Sequence, residues 1–176
     1  MATHAYSRIN IPVFWDNKYK SLDYSTETFN DPVNIRKWTD AGYADKFTGA
    51  MADMRVEQPS WNNKFIEYFE DLGWLDIGTS YYRMSTGTIL PTHGDLYKKY
   101  ISIFKLQEKR TSIRRAVVFL EDWQSGHYAE VNGDPVVNWR AGDVVIWTYD
   151  TPHMAANLGL ADRYTLQITG HINVGE

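Results

Sequence analysis

The sequence predicts a mainly β domain, a sandwich or barrel of short strands that follows an irregular, partly helical arm. Three observations carry this reading. From residue 78 onward, short runs rich in Val, Ile, Thr, Tyr and Trp are separated by turn residues at close intervals. The aromatic content of 15% suits a β-rich or ligand-binding protein. The 176 residues suffice for one core of ordinary size and leave little room for a second folded unit. The expectation is a single domain over 1–176, with an arm and helices over 1–77 and a strand-rich core over 78–172.

Residues 1–33 mix aromatic side chains with Asn, Asp, Ser and Pro without a sustained period, which reads as an extended arm anchored by Phe14, Trp15 and Tyr24. Asn34 is placed to cap a short helix carrying Ile35 and Trp38. A stronger helix follows Pro59, with Ser60 as N-cap and Trp61, Phe65, Tyr68, Phe69 and Leu72 forming a stripe at helical spacing before Gly73. That stripe reads as core packing. Strands are expected at 79–84, 88–92, 113–121, 127–131, 136–139, 143–149, 153–158 and 163–172. The segments 132–135 (NGDP) and 140–143 (RAGD) supply the residues tight connections need.

The last strand alternates cleanly. Arg163, Thr165, Gln167, Thr169 and His171 share one face, and Tyr164, Leu166, Ile168 and Ile172 the other. In the strand before it, His153, Ala155 and Asn157 oppose Met154, Ala156 and Leu158. From alternation alone, the simpler expectation is that the polar faces look at water. Tyr81 and Arg83 share a face of the first strand and either line a pocket or serve structure. Trp123, Trp139 and Trp147 read as core residues.

Composition narrows the chemistry. With no cysteine, disulfides, thiolate catalysis and Cys-ligated metals are excluded, so any metal must be held by His, Asp or Glu. A net charge of -4 supplies no broad basic surface for nucleic acid. No signal-peptide pattern and no long apolar run is present, so a soluble, cytoplasmic protein is the default expectation.

His93-Gly94-Asp95 is the decisive local feature, because residues two apart on a strand or its extension project to one side and can reach one metal. His153 arrives from a strand well downstream. Two imidazoles and one carboxylate on one face of an octahedral ion leave open positions, the arrangement non-haem iron(II) oxygenases require. Taken alone, either histidine also reads as an ordinary hydrogen-bonded surface residue. Ten residues after His153 comes Arg163, and Thr165 follows on the same strand face. A guanidinium and a hydroxyl there form a fork for the far carboxylate of a keto diacid chelated to the metal. Alone, Arg163 reads equally as the partner of a surface carboxylate.

The stretches 87–95 (GTILPTHGD), 115–120 (RAVVFL), 139–147 (WRAGDVVIW), 153–157 (HMAAN) and 163–166 (RYTL) together resemble the 2-oxoglutarate/iron(II) dioxygenase superfamily, in particular its aspartyl/asparaginyl β-hydroxylase-like branch. The resemblance covers about residues 78–172. It implies a double-stranded β-helix, a cupin-like jelly roll with N-terminal helices packed on the sheet and a metal near one open end. His93, Asp95 and His153 are then the iron(II) ligands, and Arg163 with Thr165 the anchor of 2-oxoglutarate. Arg115 is similar in place to an arginine that assists 2-oxoglutarate binding, and Arg114 should face outward. Asp95 stands where the branch's best-known members have glycine, so the ordinary triad is expected and the branch's substrate is not carried over.

The implied reaction consumes 2-oxoglutarate and dioxygen, releases succinate and carbon dioxide, and hydroxylates an amino acid, a peptide side chain or a small metabolite. Residues 1–60 and 98–111 are candidate substrate-covering segments. Asn157 either supports the metal ligands or satisfies a turn. The competing readings are a cupin-like metal enzyme that does not use 2-oxoglutarate and a non-enzymatic jelly-roll binding module.

Overall fold

A computed structural model of the chain describes residues 6–27, 31–43 and 49–173. The strands are β1 (Tyr6–Asn10), β2 (Tyr24–Thr26), β3 (Ala50–Ala52), β4 (Trp74–Met84), β5 (Thr88–His93), β6 (Ile113–Phe119), β7 (His127–Val131), β8 (Asp134–Val136), β9 (Asp143–Thr148), β10 (His153–Asn157) and β11 (Arg163–Ile172). The helices are α1 (Pro32–Asp40), α2 (Asn62–Asp71) and α3 (Lys98–Phe104). Two antiparallel sheets face each other. The larger has seven strands in the order β1-β9-β6-β11-β4-β3-β2, and the smaller has four in the order β5-β10-β7-β8.

The alternation along β11 sets the layers. Leu166 and Ile168 point away from the smaller sheet and join Val118 of β6, Tyr81 of β4 and Phe65 and Phe69 of α2 in the principal core. A helix with this apolar stripe has to cover a sheet face, and burying each Phe contributes roughly 1.5–3 kcal/mol. The opposite face of β11, with Arg163, Thr165, Gln167 and Thr169, does not look at water; it lines a cleft between the two sheets. The expectation of a solvated polar face is thereby corrected. Alternation records that the two faces differ, and here the second face meets a ligand cavity.

The arm contributes more than anchors. β1 pairs along all of β9 but its last residue, from Tyr6 opposite Trp147 to Asn10 opposite Asp143. β2 and β3 extend the other edge, with Ala50 opposite Arg83 and Met51 opposite Tyr82. Trp15 is buried and donates its indole N–H to the Leu120 carbonyl at 3.1 Å. Gly142 lets the arm approach closely: at φ +93° it accepts the Ile11 N–H at 2.8 Å, and a Cβ there would stand 2.2 Å from the Ile11 carbonyl oxygen. The sheet thus begins with arm residues, and β4 starts at Trp74, ahead of the expected boundary at 78.

Other local expectations shift for identifiable reasons. Asp31, not Asn34, caps α1: its carboxylate accepts from Val33 N at 3.1 Å and also from the Asn34 amide at 2.7 Å, with Pro32 in the first turn. α2 begins one residue after Trp61 without a side-chain cap, so Ser60 does not cap it, and Leu72 at its end is half exposed. The strand expected at 136–139 ends at Val136, because Asn138 turns to φ +57°. The segment 98–111 contains α3, flanked by the left-handed residues Tyr97 (φ +49°) and Lys105 (φ +55°). No helix among the described residues is long and apolar enough to cross a membrane.

Candidate metal centre

Register brings the two histidines together. β10 pairs with β5 so that His153 lies directly opposite His93, and the ring centroids are 4.4 Å apart. Asp95, two residues past the end of β5, comes back to the same point. Its Oδ1 lies 3.9 Å from His93 Nε2 and its Oδ2 lies 3.8 Å from His153 Nε2. One ligand atom from each residue falls within 4.8 Å of the others. That spacing suits a divalent cation with bonds of about 2 Å.

The same device orients both rings. His93 Nδ1 lies 2.8 Å from the Pro91 carbonyl oxygen and His153 Nδ1 lies 3.0 Å from that of Thr151, each two residues back along the chain. A carbonyl only accepts, so each Nδ1 carries the proton and each Nε2 presents a lone pair toward Asp95. Trp38 stands edge-on to His93 at 5.8 Å, and the Trp147 ring lies 4.7 Å from that of His153.

Electrostatics favour the metal-binding protonation states. Burial, reinforced by His153, pushes His93 from the ordinary 6.5 down to about 4. Burial opposes charge on Asp95, but Arg115 and the two histidines outweigh it and hold the carboxyl well below its usual range. Because folding favours neutral His93, its contribution to stability is complete above about pH 6.5 and is lost as pH falls toward 4. Over that range the unfolded chain binds a proton the folded chain refuses, a difference of about 3 kcal/mol. Denaturant titrations of metal-free protein should show this decline between pH 6.5 and 4, and His93→Gln should flatten it. A stability profile unchanged by the substitution would contradict the assignment.

The resemblance-based residues occupy one cleft of about 730 Å³, which holds the triad, Arg115, Arg163 and Thr165. Arg163 is 5% exposed and Thr165 is buried. The Arg163 guanidinium lies over the faces of Trp139 at 5.2 Å and Phe119 at 5.7 Å, its Nη1 contacts Met84 Sδ at 3.1 Å, and its Nε has no hydrogen-bond partner among the described residues. It reaches no carboxylate among the described residues. Burial depresses it to about 10. A buried guanidinium with an unused donor has the chemistry to bind an anion.

Arg115 does point inward. Its Nε and Nη2 each lie 3.2 Å from Asp95 Oδ2, and Nη1 donates to Gln167 Oε1 at 3.3 Å. It therefore grips a candidate metal ligand. Arg114, half-buried on the opposite face, donates to the Thr111 and Ile113 carbonyls. Asn157 satisfies turns: its amide donates to the Met84 and Ala161 carbonyls, and its oxygen accepts from Gly159 N. Tyr81 is buried in the principal core with its hydroxyl on Asn62, and Arg83 lies beside Tyr24 and Asp162; neither lines the cleft, whereas the intervening Tyr82 does. Gln167, Tyr82 and Trp147 are cleft residues absent from the expected site: from sequence Trp147 reads as core, and Gln167 only as a member of the polar face of β11. Gln167 was findable from its face on β11, and Trp147 from its place in the 139–147 stretch.

No protein-family model matches the sequence, and no curated protein matches it significantly. Similarity lies in solved structures. A Pseudomonas putida prolyl-4-hydroxylase is similar over 98% of this chain and 95% of its own, with TM-score 0.58 and 16% identity. The fold is a double-stranded β-helix. The non-haem α-ketoglutarate-dependent carbocyclase SnoK from nogalamycin biosynthesis matches 96% of this chain and 80% of its own, with TM-score 0.57 and 13% identity. A Burkholderia pseudomallei oxidoreductase of the 2OG-Fe(II) oxygenase family matches 97% and 87%, with TM-score 0.54 and 14% identity. At such identities the likeness carries the architecture. None of the three is named as an aspartyl/asparaginyl β-hydroxylase.

Proposed function

We propose that the protein is an iron(II)- and 2-oxoglutarate-dependent oxygenase that hydroxylates an amino acid, a peptide side chain or a small metabolite. The observation that carries this reading is the coexistence, in one cleft, of the His93-Asp95-His153 group and a buried arginine with an unused donor. A cupin-like enzyme that holds a metal without 2-oxoglutarate would need an anionic substrate to occupy Arg163. Iron(II) bound together with 2-oxoglutarate supplies oxidative decarboxylation by dioxygen to succinate and carbon dioxide, coupled to hydroxylation of a C–H bond.

The chain's own contribution is positional. His93, Asp95 and His153 would hold the ion, which would supply the oxygen chemistry. Arg163 and Thr165 fix the far carboxylate of the cosubstrate, and Arg115 holds Asp95. Phe119, Val117 and Val145 give the cleft apolar walls that limit water around these charges. The cleft volume falls within the range of small-molecule sites and leaves space for a substrate beside the cosubstrate. The prolyl-4-hydroxylase and the carbocyclase are named for different reactions, and the proposal is therefore kept at the level of the superfamily, without the β-hydroxylase branch.

Anaerobic titration with iron(II) and then 2-oxoglutarate tests the proposal without knowledge of the substrate. A weak, saturable visible charge-transfer band is expected, and His153→Ala should lose it. Stoichiometric metal without a band would reject 2-oxoglutarate as the cosubstrate.

A further inference from the structure

The apolar wall beside His153 contains a polar atom that no described residue satisfies. Trp147 belongs to β9 and stands opposite Arg115 in the pairing with β6, which puts both on the cleft face of the larger sheet. Only 5% of Trp147 is exposed. Its indole Nε1 is buried and has no acceptor among the described residues. Other indoles in the chain are provided for: Trp15 donates to the Leu120 carbonyl, Trp61 to the Asp16 carboxylate, and Trp123 to the His127 carbonyl. A Phe at position 147 would fill an apolar wall without the cost of a buried, unpaired donor. A donor kept in that place implies an acceptor that arrives with a ligand.

The surroundings restrict the acceptor. The ring lies 4.7 Å from the His153 ring, so an oxygen on a ligand held at the metal is within the neighbourhood of the indole. The packed neighbours Phe119, Val145 and Val131 provide no competing acceptor side chain. Indole N–H is a donor only, and it favours an anionic oxygen most when water is excluded. Arg163 supplies the corresponding unused donor for the other end of a dianion.

We propose that Trp147 is a cosubstrate-positioning residue whose indole N–H donates to the carboxylate oxygen of the 2-oxo acid chelated at the metal. The inference rests on the oxygenase reading and adds a second anchoring point, at the metal end of the cosubstrate. It assigns a binding role to a residue that the sequence presents as core.

The test uses full-length protein with tryptophan indoles labelled with ¹⁵N and loaded with zinc(II), which is diamagnetic and does not react with oxygen. Trp147→Phe assigns the Trp147 N–H resonance by its disappearance. On adding 2-oxoglutarate, that resonance should move downfield and become protected from solvent exchange, while those of Trp15, Trp61 and Trp123 stay in place. In calorimetry, Trp147→Phe should bind 2-oxoglutarate about tenfold more weakly, the expected loss of one hydrogen bond to a charged group, with zinc affinity unchanged. Saturable binding of 2-oxoglutarate with an unmoved Trp147 resonance overturns the inference and leaves the oxygenase reading intact. Absence of 2-oxoglutarate binding to the loaded wild-type protein overturns both.

Discussion

Arg163→Met is expected to abolish 2-oxoglutarate binding and, in the same protein, to raise the melting temperature of the ligand-free state. The two effects share one cause. Burial lowers the Arg163 pKa to about 10 against an ordinary 12.5, so the charged guanidinium is about 3 kcal/mol worse off in the folded protein than in the unfolded chain. The sign follows from proton binding. Below about pH 10 both states are protonated and the penalty is constant; it is relieved only as pH rises from 10 toward 12.5. Met has similar reach, carries no charge, and suits a wall made by Phe119, Trp139 and Met84.

At neutral pH the substitution should therefore stabilise the apo protein, by several degrees for a chain of this size. Metal binding should be retained, because Arg163 touches no residue of the triad. The affinity for 2-oxoglutarate should fall by about a hundredfold or more, since the cosubstrate loses its charged partner in a water-poor site. Calorimetry on metal-loaded protein and thermal scans of apo protein measure the two halves separately. Lower stability with cosubstrate affinity intact would mean that Arg163 is structural. Retaining a residue that destabilises the empty protein is the trade expected of a binding site.

How much of this was legible beforehand depends on what each signal encodes. The long strands were readable because Val118, Leu166 and Ile168 recur at period two against a polar face. β2 and β3 are three residues each, too short to carry any period, and are formed by pairing onto β4. α3 gave no start or stop signal: Tyr97 offers no capping side chain, and its C-cap is a left-handed Lys105 where glycine would have been the usual mark. The grouping of His93, Asp95 and His153 could be anticipated because metal chemistry constrains residue type and strand geometry constrains spacing, while the register that sets His93 opposite His153 came from the fold. Arg163 could be marked as a site residue, but its solitude could not. A sequence does not show which carboxylates stay away from an arginine. Trp147 illustrates the converse, since an indole in an apolar strand looks like core until its N–H is seen to have no partner.

Asp95→Ala should produce the second large effect, and Arg115 decides its size. Removing the carboxylate eliminates a candidate metal ligand and takes from the partly buried Arg115 its closest anion, leaving it the Gln167 amide oxygen, the Tyr97 ring and the more distant charge of Glu27. Breaking a fully buried pair costs about 3–5 kcal/mol, and this partly exposed one should cost less than that. The double variant Asp95→Ala/Arg115→Met should recover most of that loss while still failing to bind metal, so the two substitutions will be strongly non-additive in denaturant titrations. Arg115→Met alone separates two roles. If the guanidinium orients Asp95, metal affinity falls roughly 10–100-fold and 2-oxoglutarate binding at saturating metal is preserved. If Arg115 contacts the cosubstrate, as the sequence resemblance implies, the pattern reverses. The grip on Asp95 Oδ2 through both Nε and Nη2 favours the first outcome. The carboxylate is then held with its Oδ1 free toward His93, and the arginine that keeps it ionised also limits how it can turn toward an incoming ion.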